Sequence, residues 1–253
     1  FAGLRPIAEM QFADFITCGF DQVVNYAAKC RYRWNAPVPI VIRGPSGGGI
    51  HGGPFHSQNP EAWFAHVPGL KVVTPATAYD AKGLIKSAIR DNDPVVFFEH
   101  KGLYRRIKEE IPEGEYTVPL SKASVFRAGE DVSIITYGAM VYVARDAADE
   151  LAKDGISAEI IDLRTVYPLD EETILASVRK TSKAILLHED ILSGGIGGEI
   201  AARIAEKAFE SLDGPVIRIA APDTPVPYSP SLEEAFLPKV SQVVEKARQL
   251  CGY

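Results

Sequence analysis

Residues 43–61 read RGPSGGGIHGGPFHSQNPE and follow directly on the apolar run Val38-Pro39-Ile40-Val41-Ile42. So much glycine and proline excludes regular structure across the stretch, while the run before it has the character of a buried sheet strand. A glycine-rich loop leaving the end of such a strand is where open α/β sheets hold ligands. Working outward, Leu70-Lys71-Val72-Val73 and Val95-Val96-Phe97-Phe98 read as further short strands. Between them Asp80 to Arg90 places Ala81, Leu84, Ile85, Ala88 and Ile89 on one helical face. Asn59-Pro60-Glu61 is expected to cap and open a helix. Upstream, Ile7 to Phe12 suits a strand and Ala13 to Arg33 a helix with Lys29, Arg31 and Arg33 in its last turns.

Lys108 to Pro119 is charged and punctuated by Pro112, Gly114 and Pro119, which suits a linker. Beyond it the alternation resumes, with strands at Val132–Tyr137, Ala158–Leu163, Ala184–Leu187 and Val216–Ile219. Helices are expected at Val141–Lys153, Glu171–Arg179, Glu199–Phe209 and Val240–Leu250. Alternating strands and helices with short links imply βαβ units. The fold class is therefore α/β, with two domains, each an open, mostly parallel sheet flanked by helices, over residues 1–112 and 123–253, joined by a linker at 113–122.

Composition narrows the function. A 253-residue chain that is 46% hydrophobic can bury a substantial core. No apolar run approaches the ~18 residues of a membrane span, and no basic-then-apolar leader opens the chain, so no membrane partner is expected. Cys18, Cys30 and Cys251 form no paired spacing and read as free thiols in a reducing compartment, a cytoplasm or an organelle matrix such as the mitochondrial one. Of the net charge of −6, residues from Ser121 onward carry −7 and the first 120 carry +1. An acidic second half disfavours nucleic acid and suits a basic protein partner.

The glycine loop holds the best catalytic candidate. His51 and His56 lack the acids and the spacing of a metal pair. Gly47-Gly48-Gly49 has no following Gly-Lys-Ser/Thr and is not a phosphate loop of the Walker type. His56 is the stronger candidate for proton transfer, with Ser57 and Gln58 available to orient its ring. His51 falls to a structural role.

Several ordered stretches together carry a resemblance. Arg5-Pro6-Ile7-Ala8-Glu9-Met10-Gln11-Phe12-Ala13-Asp14-Phe15, Arg43-Gly44-Pro45, His56-Ser57-Gln58, Pro68 to Val73, Asp80 to Leu84, Ile161-Asp162-Leu163-Arg164 and Asp223-Thr224-Pro225 are similar to the β subunit of the thiamine-diphosphate-dependent 2-oxo acid dehydrogenases. The resemblance covers the whole chain. It implies a transketolase-like fold whose first domain, the pyrimidine-binding one, is incomplete at its N-terminus, followed by a transketolase-type C-terminal domain. It implies oxidative decarboxylation of a branched-chain 2-oxo acid or pyruvate with acyl transfer to lipoyl groups, acting with an alpha subunit that supplies the magnesium and diphosphate site. A second beta subunit and a dihydrolipoyl acyltransferase core are the further partners implied. His56 matches the histidine assisting acyl transfer, and Gln11 and Phe15 match positions beside the aminopyrimidine ring of thiamine diphosphate. Ile40, Ala88, Ile89, Asp91 and Asp93 match a structural potassium site built largely of carbonyls. His188-Glu189-Asp190 and Gly194 to Glu199 resemble a turn and helix used in subunit packing. The glutamate that activates the cofactor belongs to a segment before that matching Phe1, so this chain alone is expected not to turn over. An acetoin-cleaving or transketolase-like relative, and a noncatalytic assembly module, are the alternatives.

Overall fold

The computed structural model describes residues 1–252. The first sheet is built from β1 (Ile7–Glu9), β2 (Val41–Ser46), β3 (Lys71–Val73) and β4 (Val95–His100), with α2 (Glu61–Ala65) and α3 (Ala78–Arg90) in the connections. Its order is β1-β2-β4-β3, all parallel. The second sheet takes β5 (Ser124–Arg127), β6 (Val132–Thr136), β7 (Ala158–Asp162), β9 (Ala184–Ile191) and β10 (Ile217–Ala221) in the order β10-β9-β6-β7-β5, with only β5 antiparallel. Helices α4 (Met140–Lys153), α5 (Glu171–Thr181), α6 (Ile196–Lys207), α7 (Pro230–Phe236) and α8 (Val240–Cys251) complete it. Both sheets are thus mostly parallel and flanked by helices, as the alternation predicts.

The two sheets are not independent. Strand β8 (Thr165–Tyr167), which follows β7 in the second half of the chain, crosses over and pairs antiparallel with β3, forming the edge of the first sheet. One apolar cluster runs through both, from Ile42, Phe64, Val72 and Phe98 to Ile135, Leu163, Leu186 and Ile196. Two more fill the outer faces: Val73, Leu84 and Phe97 under α3, and Ile134, Leu151, Ile185 and Val243 under α4 and α8.

Local chemistry explains the element ends. Thr77 caps α3 by accepting from the Asp80 amide at 3.0 Å, while its hydroxyl donates to the Asp80 carboxylate at 2.9 Å. This satisfies amides that the first turn leaves unpaired. In α4 the inward positions Met140, Val141, Ala144, Ala147, Ala148 and Leu151 follow helical spacing and are all buried.

Two expectations change. The span 13–33 is not one α-helix but a 3-10 segment (Ala13–Gly19), a π-helical one (Gln22–Ala27) and α1 (Ala28–Trp34). Ala13 and Ile16 must pack against the close-lying backbone of β2, where a side chain at Gly44 would come within 3.1 Å of Ala13 and Ile16 atoms. Asn59 does not cap α2, whose N-cap is Pro60 without a side-chain bond.

Phe64 is fully buried at the junction, its ring 5.5 Å from Phe20 and 5.7 Å from Phe98. Phe64→Ala is expected to cost about 3–5 kcal/mol in denaturant unfolding. A Phe64→Leu variant is expected to lose less than half of that.

Candidate functional site

Strand β2 carries Gly44-Pro45-Ser46 inside the sheet, so the loop begins at Gly47 rather than Arg43. Gly47 has φ +88, and a side chain there would stand 2.1 Å from the His100 ring. Only glycine gives both the left-handed backbone and the space. Gly49, His51 and Gly53 also have positive φ.

The loop is held from the second half of the chain by two buried carboxylates. At the end of β9, Glu189 accepts from the Gly48 amide at 2.6 Å and the Asn59 side chain at 2.9 Å, and meets the His100 ring at 2.7 Å. From α7, Glu233 accepts from the Gly49 amide at 3.0 Å and the His51 amide at 3.1 Å, and contacts His51 Nδ1 at 2.7 Å. His51 is therefore tied into the loop scaffold. Burial alone would raise the Glu189 pKa, but the His100 ring and these hydrogen bonds overcome it and hold the carboxyl at about 2. Nearby, burial pushes the Asp190 carboxyl up to about 6, with the Glu189 charge adding to the effect. Burial and then Asp190 raise Glu61 well above the usual carboxylate range, and its Oε2 has no partner.

Beyond this clamp, the chain reverses through Gly53-Pro54-Phe55 to His56. The His56 ring is half-buried and stands edge-on to Phe12 and to Phe15, each at 5.5 Å between ring centres. Its Nδ1 is buried and has no hydrogen-bond partner, which leaves Nε2 as the nitrogen able to exchange protons with a ligand. Ser57 and Gln58 do not orient the ring. Ser57 Oγ is buried without a partner, and Gln58 turns to Asp14, whose Oδ1 accepts from the Gln58 amide at 3.2 Å and its side chain at 2.9 Å. Gln11 is exposed and donates to Glu9 Oε1 at 3.1 Å. The fold thus brings His56 and Phe15 into contact, with Gln11 beside Phe12 in the chain.

Ala88, Ile89, Asp91 and Asp93 gather at the end of α3, but their oxygens are in use. Arg5 donates to the Ile89 carbonyl at 3.0 Å and the Asp91 carbonyl at 2.7 Å. The Ala88 carbonyl accepts from Asp91, and that of Ile40 from Val95. The Asp91 and Asp93 carboxylates bind Lys71 and Arg31 at 2.7 and 2.8 Å. Arg5, Lys71 and Arg31 thus face the oxygens of this corner in the structure, and no step is derived through a potassium ion there.

The comparisons agree with this architecture. The transketolase pyrimidine-binding domain model matches residues 1–107, and the transketolase C-terminal domain model matches 121–243. The 2-oxoisovalerate dehydrogenase subunit beta of Bacillus subtilis is 52% identical over 99% of this chain and 78% of its own length. The chain belongs to the beta-subunit family of the thiamine-diphosphate-dependent 2-oxo acid dehydrogenases. The pyruvate dehydrogenase E1 component subunit beta of the same organism is also 52% identical, over the same shares of the two chains. The beta subunit of an acetoin:2,6-dichlorophenolindophenol oxidoreductase from Cupriavidus necator is 48% identical over 98% of this chain and 73% of its own. A solved split-gene transketolase, described as an inactive beta4 tetramer, superposes with a TM-score of 0.80 over 99% of this chain and 77% of its own at 23% identity, which speaks for the fold.

Sequence reasoning missed Glu233 and expected Glu189 in subunit packing, without its bonds to Gly48, Asn59 and His100 across the two halves of this chain. The one signal available was a glutamate one residue past the apolar run Ala184 to Leu187, after His188, where an acid is buried only with donors waiting for it.

Two predictions follow from these contacts. Glu233→Ala is expected to abolish the hydrogen-exchange protection of the Gly49 and His51 amides and to cost about 1–3 kcal/mol of stability. The second concerns His188, which is buried with neither ring nitrogen hydrogen-bonded, and whose pKa burial lowers from 6.5 to about 4. Between those values the unfolded chain binds the proton more readily, so the contribution of His188 to stability falls as pH drops from 6.5 towards 4, on the order of 3 kcal/mol, while the raised carboxyls of Asp190 and Asp162 act in the opposite direction. The difference in unfolding free energy between the parent and His188→Gln, from urea titrations at stepped pH, is expected to shrink by that amount over this window.

Proposed function

We propose that this chain is the beta part of a 2-oxo acid dehydrogenase that, with an alpha subunit, decarboxylates a branched-chain 2-oxo acid or pyruvate and passes the acyl group to a lipoyl arm. The observation that carries the reading is the His56 ring, fixed edge-on by Phe12 and Phe15 with one nitrogen free, at the far end of a clamped glycine loop. Thiamine diphosphate supplies the carbanion centre that accepts the 2-oxo carbonyl and stabilises the loss of carbon dioxide. The residues here suit its aminopyrimidine end: Phe15 offers a half-exposed aromatic wall, Gln11 an amide, and the orphaned His56 Nδ1 marks a polar position without its partner. Magnesium and the diphosphate fall to the alpha subunit in this reading.

His56 acts in the second half of the reaction. As one sulfur of the lipoyl disulfide bonds the acyl carbon and the S–S bond breaks, the His56 Nε2 gives a proton to the departing sulfur, and Phe12 and Phe15 exclude water from that exchange. The dihydrolipoyl acyltransferase core is the source of the arm, and the −7 charge of residues from Ser121 onward suits docking to a basic domain of it. The paired 52% identities to proteins named for different substrates leave the choice of 2-oxo acid to a direct assay of both.

In the enzyme assembled with its alpha subunit, His56→Asn is expected to lower the ratio of lipoamide-dependent to dye-dependent turnover by about 10²–10⁴. An unchanged ratio would remove His56 from acyl transfer.

A further inference from the structure

We propose that Lys101 is a positioning residue for His56, bracing both the aromatic wall of the imidazole and the segment that carries it. The inference rests on the acyl-transfer reading of His56. Lys101 directly follows β4 and is partly buried beneath the glycine loop. Its Nζ donates to the Pro45 carbonyl at 3.3 Å, near the end of β2 where the loop departs. The same ammonium stands 4.9 Å from the centre of the Phe12 ring, which meets His56. One side of the His56 site is therefore a run of cation, aromatic ring and edge-on imidazole, whose first contact is electrostatic and whose second is packing.

A second route leads to the other side. Asp14 holds Gln58 through both its amide and its side chain, two residues beyond His56. Asp14 is buried, and its Oδ2 has no hydrogen-bond partner. A buried carboxylate with a bare oxygen needs a compensating charge. No direct ion pair joins Asp14 to Lys101, yet among the carboxylates acting on this ammonium from a distance Asp14 exerts the largest pull, followed by Glu189, Glu61 and Glu233. Without Lys101, Phe12 loses the cation against its ring and Asp14 loses a favourable charge nearby. Burial outweighs these attractions and brings the Lys101 pKa down to about 8, so the brace is itself titratable near neutral pH. The charged groups acting on it are Asp14 from the 3-10 segment Ala13–Gly19, Glu61 from α2, Glu189 from β9 and Glu233 from α7, with His100 next to it in the chain.

The experiment uses the assembled enzyme, with Lys101→Met keeping the stem, Lys101→Arg keeping the charge, and His56→Asn as reference. The readouts are lipoamide-dependent turnover, dye-dependent turnover and the pH profile of each. Lys101→Met is expected to lower the lipoamide-to-dye ratio at least about tenfold, and Lys101→Arg to restore it to within about threefold. The basic limb near pH 8 in the lipoamide reaction should disappear in Lys101→Met and move to higher pH in Lys101→Arg. Equal losses in both assays, with a lowered melting temperature, would make Lys101 a structural counter-ion only and overturn the inference. An unchanged ratio in Lys101→Met beside a collapsed one in His56→Asn would overturn it alone. An unchanged ratio in His56→Asn would overturn the parent reading as well.

Discussion

The glycine loop stands on two buried carboxylates. Glu189 and Glu233 lie far along the chain, yet their oxygens receive the amides of Gly48, Gly49 and His51. A loop this rich in glycine has a large conformational entropy to lose, and its amides have no strand or helix to satisfy them. Charge-assisted hydrogen bonds in a dry interface supply the fixed partners. The cost is a concentration of buried acid, visible in the raised Glu61 and Asp190 and in the uncompensated oxygen of Asp14.

That constraint organises the remaining structure. The two halves must meet at a fixed distance for β9 and α7 to reach the loop. Three further contacts maintain the meeting: the crossover of β8 onto β3, the shared apolar cluster through Phe64, and the Arg164–Asp80 ion pair at 2.8 Å. Asp162, two residues from Arg164, is fully buried near that pair, and burial lifts its carboxyl to about 7. The junction is thus both the stable centre of the molecule and its most concentrated store of titratable groups. His56 benefits from the rigidity without sharing the charge, since its immediate neighbours are the rings of Phe12 and Phe15.

Much of this was legible beforehand. Apolar runs such as Val95 to Phe98, and the helical spacing of Ala81, Leu84, Ile85, Ala88 and Ile89, report burial directly, and short links between them force parallel pairing. The loop announced itself by composition. Less visible were the ends of elements, because the residue that caps or breaks them depends on what packs nearby: Asn59 looked like a cap and became a donor to Glu189. Ser57 and Gln58 looked like partners of the imidazole, and the structure buries the hydroxyl of one without a partner and turns the other to Asp14. The carbonyls of Ile89 and Asp91 carry no side-chain signature, so nothing in the sequence could say that Arg5 would take them.

The sequence alone determined the α/β class, the two sheets, the family and the histidine to examine, since periodicity and residue type act over neighbouring positions. Only the tertiary structure decided what holds that histidine in place. The holding groups, Phe12 and Asp14, Lys101, Glu189 and Glu233, come from four separate parts of the chain. Their meaning lies in through-space distances and in the loss of water around them, and neither is encoded by local pattern.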